Sequence, residues 1–157
     1  MRRKDKEIVE QKVMVSIIEK AIICRVGMCW QDEPYVIPMN FGYRNHYIFL
    51  HSASKGRKLD ILRNNNNKVC IEFDVDVEML QSQEACKTSM KYKSILIFGT
   101  AVILKDVAEK KRALDIIMQH YDNYNFPSLF HYSEEVMGKV IIIKVKVEEM
   151  TGKESKR

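Results

Sequence analysis

A short stretch in the first half of the chain combines hydroxyl-bearing and cationic side chains. Ser52, Ser54, Arg57 and Lys58 lie within a few residues of one another. Hydroxyl groups donate hydrogen bonds to anionic oxygens, and a neighbouring arginine or lysine adds fixed positive charge. These residue types are suited to binding a phosphate group.

The elements around these residues decide whether they converge on one point. After the β-favouring run YIFL, residues 52–56 are typical of a turn, and residues 57–63 place Leu59 and Leu62 one helical step apart. A helix start exposes unpaired N–H groups and the positive end of the helix dipole, so it attracts anions. The alternative is an ordinary strand, turn and helix, with Ser54 as the N-cap and the cations in solvent. The spacing does not match the strong phosphate-binding motifs, so both interpretations stay open.

A second stretch, residues 34–43, reads as a β-strand interrupted by proline. The run PYVIPMNFGY is β-like, yet it contains two prolines and a glycine. Proline cannot donate a ladder hydrogen bond and is confined to edge strands, strand starts and bulges. Pro38 therefore predicts a local break in pairing that leaves backbone groups of Met39 and Asn40 free. Such groups must meet water, a side chain or a ligand.

Few other side chains suggest chemistry. His51 ends a strand directly before the turn, where a lone histidine is more often structural than catalytic. Contact with a bound molecule and acid–base catalysis are the two functional alternatives for His51. Phe41 and Tyr43 are either core aromatics or aromatics that stack on a ligand. No Ser-His-Asp or Cys-His arrangement can be argued from the spacing, and His46, His120 and His131 have no evident partners.

Composition is typical of one globular domain, residues 1–157, in which 46% of residues are hydrophobic and 30% are charged. No apolar run approaches the ~20 residues that span a bilayer. The basic N-terminus is not followed by an apolar signal-peptide segment, so we expect a cytoplasmic protein. The four cysteines form no CxxC pair and no zinc-like spacing, which favours a reducing compartment and no metal site.

The net charge of +5 is the one compositional hint of a nucleic-acid partner. Much of the excess lies at the two ends of the chain, in residues 2–4 and 153–157, and the remainder is scattered. No recognisable DNA- or RNA-binding motif is present. We therefore expect neither a nucleic-acid nor a membrane partner.

Periodicity predicts a β-rich α+β fold. Apolar periodicity places an N-terminal helix at residues 5–21, and an Asp-x-x-Glu capping box starts another at Asp106. Residues 153–157 are expected to be a disordered tail. Regular βαβ alternation is absent, which disfavours a doubly wound parallel sheet and favours a barrel. The predicted strands number six, at residues 21–29, 34–43, 47–50, 68–75, 92–104 and 139–150.

The order and spacing of these pieces resemble the flavin-binding split-barrel family that includes the pyridoxamine 5'-phosphate oxidases. Within that family the closest resemblance is to the nitroimidazole-resistance (Nim) proteins. The resemblance extends over nearly the whole chain. It is carried by the runs MRRKD (1–5), PYVIPMNFGY (34–43), HSA (51–53), GRK (56–58), SMKYKS (89–94), FG (98–99) and MTGK (150–153), together with Phe49.

The resemblance implies a six-stranded, Greek-key split β-barrel with flanking helices that forms a homodimer and holds FMN at the subunit interface. It implies that the phosphate end of FMN is surrounded by His51, Ser52, Ala53, Arg57 and Lys58. It also implies that the isoalloxazine ring is lined by Pro38, Met39, Asn40 and Phe41. The partner subunit is then expected to contribute the region of Tyr92 and Ser94.

The activity implied is that of an FMN-dependent oxidoreductase, with the flavin carrying the redox chemistry and a small molecule as electron acceptor. Resemblance to the Nim proteins extends this expectation to nitro-aromatic compounds such as 5-nitroimidazoles. The alternative is a non-catalytic flavin-binding sensor or carrier, since one fold hosts many functions.

Overall fold

The computed structural model describes residues 3–122 and 130–156. Within these ranges the strands are β1 (Glu7–Ile8), β2 (Cys24–Trp30), β3 (Glu33–Met39), β4 (Phe41–Arg44), β5 (Tyr47–Ser52), β6 (Lys68–Leu80), β7 (Ser89–Ile103) and β8 (Ile141–Ser155). The helices are α1 (Gln11–Lys20), α2 (Arg57–Asn64), α3 (Val107–His120) and α4 (Glu134–Lys139), with short 3₁₀ turns at Lys4–Lys6 and Ala85–Lys87.

All the strands belong to one antiparallel sheet in the order β3-β2-β6-β7-β8-β5-β4, and β1 pairs with the far end of β8. Two hairpins in it turn through two left-handed residues each, Gln31–Asp32 and Asn45–His46. Turns of this kind match the right-handed twist of the strands they join. The resulting architecture is β-rich α+β with flanking helices.

One face of the sheet carries the hydrophobic core. Side chains alternate along each strand, so Ile71 and Phe73 of β6 and Ile95 and Ile97 of β7 are fully buried while their neighbours point away. Helix α1 packs on this cluster through Met14, Ile17 and Ile18. A smaller cluster beneath α3 contains Phe49, Ala113, Ile117 and Ile142.

The strand count differs from the predicted six. The strand expected over residues 34–43 is two strands, β3 and β4, separated by Asn40 alone, and β1 was not predicted. β3 pairs only with β2, whereas β4 pairs only with β5, so the two strands are the opposite edges of the sheet. The one-residue link places the end of one edge strand beside the start of the other. We call this meeting point, at Asn40, the seam.

Two predicted boundaries were wrong. The N-terminal helix starts at Gln11 rather than residue 5, and Val9 lies outside it and is exposed. The tail expected from residue 153 is instead part of β8 as far as Ser155, whose side chain is buried and accepts a hydrogen bond from Lys6 Nζ at 2.8 Å. The N-terminal segment pairs with β8 at Lys153 and Gly152, which explains why this end of the chain is ordered.

Helix α3 lies against β4 and β5. Its start is the predicted capping box, in which Asp106 Oδ1 accepts the Glu109 N–H at 2.8 Å. Gly42 of β4 lies directly beneath the helix, and a Cβ there would be 2.7 Å from the Ile116 carbonyl oxygen. Backbone-to-backbone contact therefore holds α3 beside the seam. No helix in the described part of the chain is long and apolar enough to cross a membrane.

Candidate functional site

The start of α2 is an uncapped helix N-terminus. Its N-cap residue is Gly56, with φ +135° and ψ 158°, and no side chain bonds to the first-turn amides. Ser54 is therefore not the cap, and the alternative that assigned it this role was wrong. A Cβ built on Gly56 would meet no atom within 4 Å, so the space in front of the helix is open. Such an N-terminus can accept an anion on its free N–H groups.

The two cations of this helix differ in their surroundings. Arg57 is exposed, donates to Glu33 Oε2 at 2.6 Å and lies 5.3 Å from the centre of the Tyr35 ring. These contacts hold its guanidinium on the β3 side of α2. Lys58 is half-buried and close enough to His51 to affect its charge. Partial burial, and then the charge of Lys58, lower the pKa of His51 from its ordinary value of 6.5.

Ser52 and Ala53 lie directly before the turn. Ser52 is buried, and its Oγ donates to the Ala53 carbonyl oxygen at 2.9 Å. In this arrangement the hydroxyl proton of Ser52 is not available to an anion. Ala53 is exposed and can offer only its backbone.

The seam residues differ in which way they face. Phe41 is completely buried, with its ring 4.8 Å from that of Phe73 and 4.2 Å from that of His120, so its side chain belongs to the core. Of the two interpretations of Phe41, core aromatic or ligand-stacking aromatic, the side chain fits the first, and contact between FMN and the Phe41 backbone stays a prediction. Pro38 and Asn40 are exposed, whereas Met39 is buried.

The predicted break in pairing lies after Met39 rather than at Pro38. Both residues remain paired with β2, opposite Cys24 and Arg25, and the Met39 carbonyl oxygen lies 3.4 Å from Cys24 Sγ. The ladder survives Pro38 because β3 is an edge strand. Asn40 lies outside every strand, and its side-chain amide makes no hydrogen bond to the described residues.

A cavity of about 520 Å³ lies beside Asn40 and His51; we call it the α3 cavity. Leu114, Ile117, Met118 and Tyr121 form its helical wall, and Ile22 completes the lining. The sequence predicts that these four residues lie on one inward face of the helix. Their heptad-like spacing does not distinguish core packing from a cavity wall, so sequence reasoning missed their contribution to the site.

Tyr121 fixes the position of this wall. Its hydroxyl accepts the Phe41 N–H at 3.1 Å and donates to the Ile22 carbonyl oxygen at 2.8 Å. The neighbouring His120 bonds through Nε2 to the Ala21 carbonyl oxygen at 2.7 Å. The end of α3 is thereby tied to the start of β4 and to the link between α1 and β2.

Tyr92 and Ser94 are far from these residues within one chain. Ser94 pairs with Lys153 of β8, whereas Ser52 pairs with Ile141 of the same strand. Residues 141 and 153 are twelve positions apart, or roughly 40 Å along an extended strand. Tyr92, with the Lys153 ammonium 5.2 Å from its ring centre, lies at that distant end as well.

In the described ranges no group of three or more His, Cys, Asp or Glu side chains is placed to hold a metal ion. Burial raises the pKa of the Cys24 thiol to about 12, so this buried cysteine is a packing residue.

Comparisons with known proteins define the class. The family model for pyridoxamine 5'-phosphate oxidase matches residues 10–154. The chain belongs to the pyridoxamine 5'-phosphate oxidase family, which confirms the resemblance seen in the sequence. A candidate 5-nitroimidazole antibiotic resistance protein from Bacteroides thetaiotaomicron is 38% identical, with a TM-score of 0.81 over 94% of this chain and 85% of the other.

Other solved structures share the fold at lower identity. The flavocytochrome Anf3 of Azotobacter vinelandii has a TM-score of 0.86 at 16% identity, over 100% of this chain and 72% of that one. A protein of Mesorhizobium loti, described as FAD-binding, has a TM-score of 0.65 at 17% identity, over 94% and 96% of the two chains. A comparison with curated proteins gave no significant match.

Proposed function

We propose that this protein binds FMN at the seam and the start of α2, and uses it to reduce small nitro-aromatic compounds. The observation that carries the proposal is the uncapped, cationic N-terminus of α2 directly beside the cavity that Asn40 and His51 line. Membership of the pyridoxamine 5'-phosphate oxidase family supports a flavin, and the 38% identical nitroimidazole-resistance relative supports the acceptor class.

The phosphate end of FMN fits the start of α2. A dianion requires several donors and compensating charge, which here are the backbone N–H groups and the side chains of Arg57 and Lys58. The Leu59 and Asp60 N–H groups already donate to the Gly56 carbonyl oxygen. Gly56 leaves the approach open because it has no side chain. Ser52 would contribute its hydroxyl only after giving up its bond to Ala53.

The isoalloxazine ring of FMN fits the exposed parts of the seam. Pro38 and Asn40 offer an apolar edge and an unpaired amide, and His51 adds an imidazole that favours its neutral form. Met39 and Phe41 would support these residues from the core side. When bound, FMN would supply hydride or electron transfer, while these residues orient it and hydrogen-bond to its ring.

We also propose that the working unit is a homodimer. Tyr92 and Ser94 cannot reach the α2 end of their own chain, so a site containing both groups needs a second copy. The sheet side away from the core offers a matching surface, which we call the outer face. It consists of Cys29, Pro34, Val36, Cys70, Leu96 and Phe98.

The outer face has the composition of a protein interface. Val36, Leu96 and Phe98 are 64%, 38% and 44% exposed, and Gly27 leaves a groove among them because it lacks a side chain. Contiguous apolar surface of this kind marks an association site. One rim carries an ion pair between Arg25 and Glu72, and the other pairs Lys68 with Glu148. A surface with both signs on its rims can meet a second copy of itself without net repulsion.

The ends of the outer face explain how two copies would complete the site. One end adjoins Arg57 through the Arg57–Glu33 contact, and the other leads along β7 to Ser94. A two-fold axis through the centre of the face would place Ser94 of each copy towards Arg57 of the other. On this proposal the sheet curls into the split barrel of the family.

The first experiment is to titrate the flavin-free protein with FMN and follow flavin fluorescence. Replacing both Arg57 and Lys58 by alanine should weaken FMN binding by about 100-fold, because each cation is worth roughly tenfold to a phosphate dianion. The matched control replaces Lys111 and Arg112, an exposed basic pair on α3, with the same loss of charge. Equal affinity of the two double variants would remove the α2 start from the phosphate site.

The second experiment separates an enzyme from a flavin carrier. The FMN-loaded protein is reduced with dithionite under nitrogen and mixed with a 5-nitroimidazole while flavin absorbance is followed. Reoxidation with consumption of the nitro compound supports the reductase. Bound flavin that stays reduced favours the non-catalytic sensor or carrier.

A further inference from the structure

The wall of the α3 cavity is apolar and its mouth is polar. Leu114, Ile117 and Met118 supply the wall, and the exposed Ile22 forms part of the rim. Asn40 and His51 also line the cavity, next to the Phe41–Leu50 pair of β4 and β5. A volume of about 520 Å³ is within the usual range of small-molecule pockets, and this division of apolar wall and few polar groups is typical of them.

The cavity is held open by contacts that do not pass through its interior. Tyr121 ties α3 to Phe41 and to Ile22, and backbone contact at Gly42, outside the cavity lining, sets the distance between the helix and β4. Both contacts lie at the edge of the cavity, so the separation between Met118 and the seam is fixed without side chains filling the space. The cavity is therefore preformed, which lowers the cost of binding a rigid molecule.

The polar groups at the mouth define what the molecule must carry. The Asn40 side-chain amide has no hydrogen-bond partner among the described residues, so its two donors and its acceptor can be divided between the flavin ring and a second molecule. A neutral imidazole adds one donor and one acceptor. Lys58, near His51, disfavours a cationic group at this position.

We propose that the α3 cavity is the electron-acceptor pocket, and that it takes a planar, uncharged aromatic molecule with one hydrogen-bond-accepting edge directed at Asn40. The ring of the molecule lies against Leu114 and Met118, and Met118 sets the largest acceptor that fits. Only the identity of the bound molecule as an electron acceptor rests on the proposed function. Binding to the cavity does not.

The test follows the methionine methyl groups by NMR during titration with nitrobenzene, first without FMN. Met118 is in the cavity wall, and Met90, exposed on the distant part of β7, is the internal control. Ring currents of a bound aromatic should shift the Met118 methyl signal and leave that of Met90 unchanged. No shift at Met118, or equal shifts at both, would overturn the assignment.

Variants then separate the pocket from the flavin site. Met118→Trp should fill the cavity and weaken nitrobenzene binding about tenfold or more while FMN affinity changes less than about twofold. Met118→Ala, which removes bulk, should keep nitrobenzene binding and admit a larger nitro-aromatic. Ile116→Trp, on the same helix but outside the cavity lining, is the matched control.

The outcomes distinguish this inference from the proposed function. Nitrobenzene binding at Met118 in a protein that takes up no FMN would keep the pocket and reject the flavoenzyme. FMN that shifts the Met118 methyl and is displaced by nitrobenzene would show that the flavin ring occupies the cavity, and the acceptor assignment would fail. Normal FMN binding with nitrobenzene affinity unaffected by Met118→Trp would also overturn it.

Discussion

The protonation of His51 depends on its surroundings in the folded chain. The sequence shows only a histidine at the end of a strand, whereas the structure places it between the α3 cavity and Lys58. Burial and the lysine both disfavour the imidazolium, so the ring is neutral over more of the physiological pH range than an ordinary histidine. A neutral ring can accept as well as donate a hydrogen bond, which suits contact with a flavin or an acceptor.

The pKa of His51 can be measured by titrating its ring signals by NMR. We expect a midpoint below the ordinary 6.5, and Lys58→Met should raise it part of the way back because burial, the larger cause, remains. The folded state binds fewer protons here than the unfolded state, so the contribution to stability is complete above pH 6.5 and is lost as pH falls through the lowered pKa. Lys111→Met is the control for charge loss elsewhere. A midpoint at or above 6.5 would contradict this placement.

Neighbouring residues of the seam have opposite roles for a purely geometric reason. Phe41 begins β4 with its side chain in the core, while Asn40, one position earlier, lies outside both ladders. The resemblance suggested that both face the cofactor. Only the structure shows that Tyr121 takes the backbone N–H of Phe41 and leaves the Asn40 side chain available.

At the level of elements, α3 supplies the apolar wall of the cavity beside the seam. Its capping box was readable in the sequence because Asp106 and Glu109 are local. Its position was not, since it depends on Gly42, on Tyr121 and on residues about eighty positions away along the chain. Lys110 adds a further tie, with Nζ 3.0 Å from the Val140 carbonyl oxygen after α4.

The contact between α3 and β4 is tested by Gly42→Ala. The added Cβ would fall 2.7 to 2.8 Å from backbone atoms of Ile116 and Ile117, which cannot rotate away. We expect the free energy of unfolding to fall by about 1–3 kcal/mol, as in other overpacked sites, measured by urea denaturation.

Gly138→Ala is the matched control for this substitution. Gly138 is in α4, and a Cβ there would meet no atom within 4 Å. Because alanine favours helix over glycine, stability should stay equal or rise by up to about 1 kcal/mol. If Gly42→Ala were as harmless as this control, the helix would not rest on the strand as closely as described.

At the level of the whole molecule, the outer face carries the proposal of a homodimer. Phe98→Asp should convert the dimer to a monomer in analytical ultracentrifugation, because a carboxylate buried in an apolar interface lacks a partner. Val136→Asp, at an equally exposed valine on α4, should leave the dimer intact. A wild-type protein that sediments as a monomer at high concentration would end the proposal.

The reactivity of the native cysteines tests the same face and needs no variant beyond Phe98→Asp. Cys29 and Cys70 line its groove, whereas Cys86 is exposed in the 3₁₀ turn between β6 and β7. In a dimer built on the outer face, a thiol reagent should modify Cys86 quickly and the two groove cysteines slowly. In Phe98→Asp, Cys29 should react about as fast as Cys86.

The sequence by itself determined the family, the β-rich α+β class and the start of α3. These features depend on residues close together in the chain, where turn chemistry, strand alternation and capping act locally. The small-residue turn and the cations in residues 52–58 suggested an anion site as one of two open interpretations, and that site stays a prediction.

Only the tertiary structure decided how these parts meet. It divided the proline-containing strand at Asn40, because β3 and β4 pair with partners at opposite edges of the sheet. It also placed Phe41 in the core, formed the α3 cavity from a helix that follows the seam by some seventy residues, and separated Ser94 from Ser52 along β8. Each of these outcomes depends on contacts between distant segments, which local pattern does not encode.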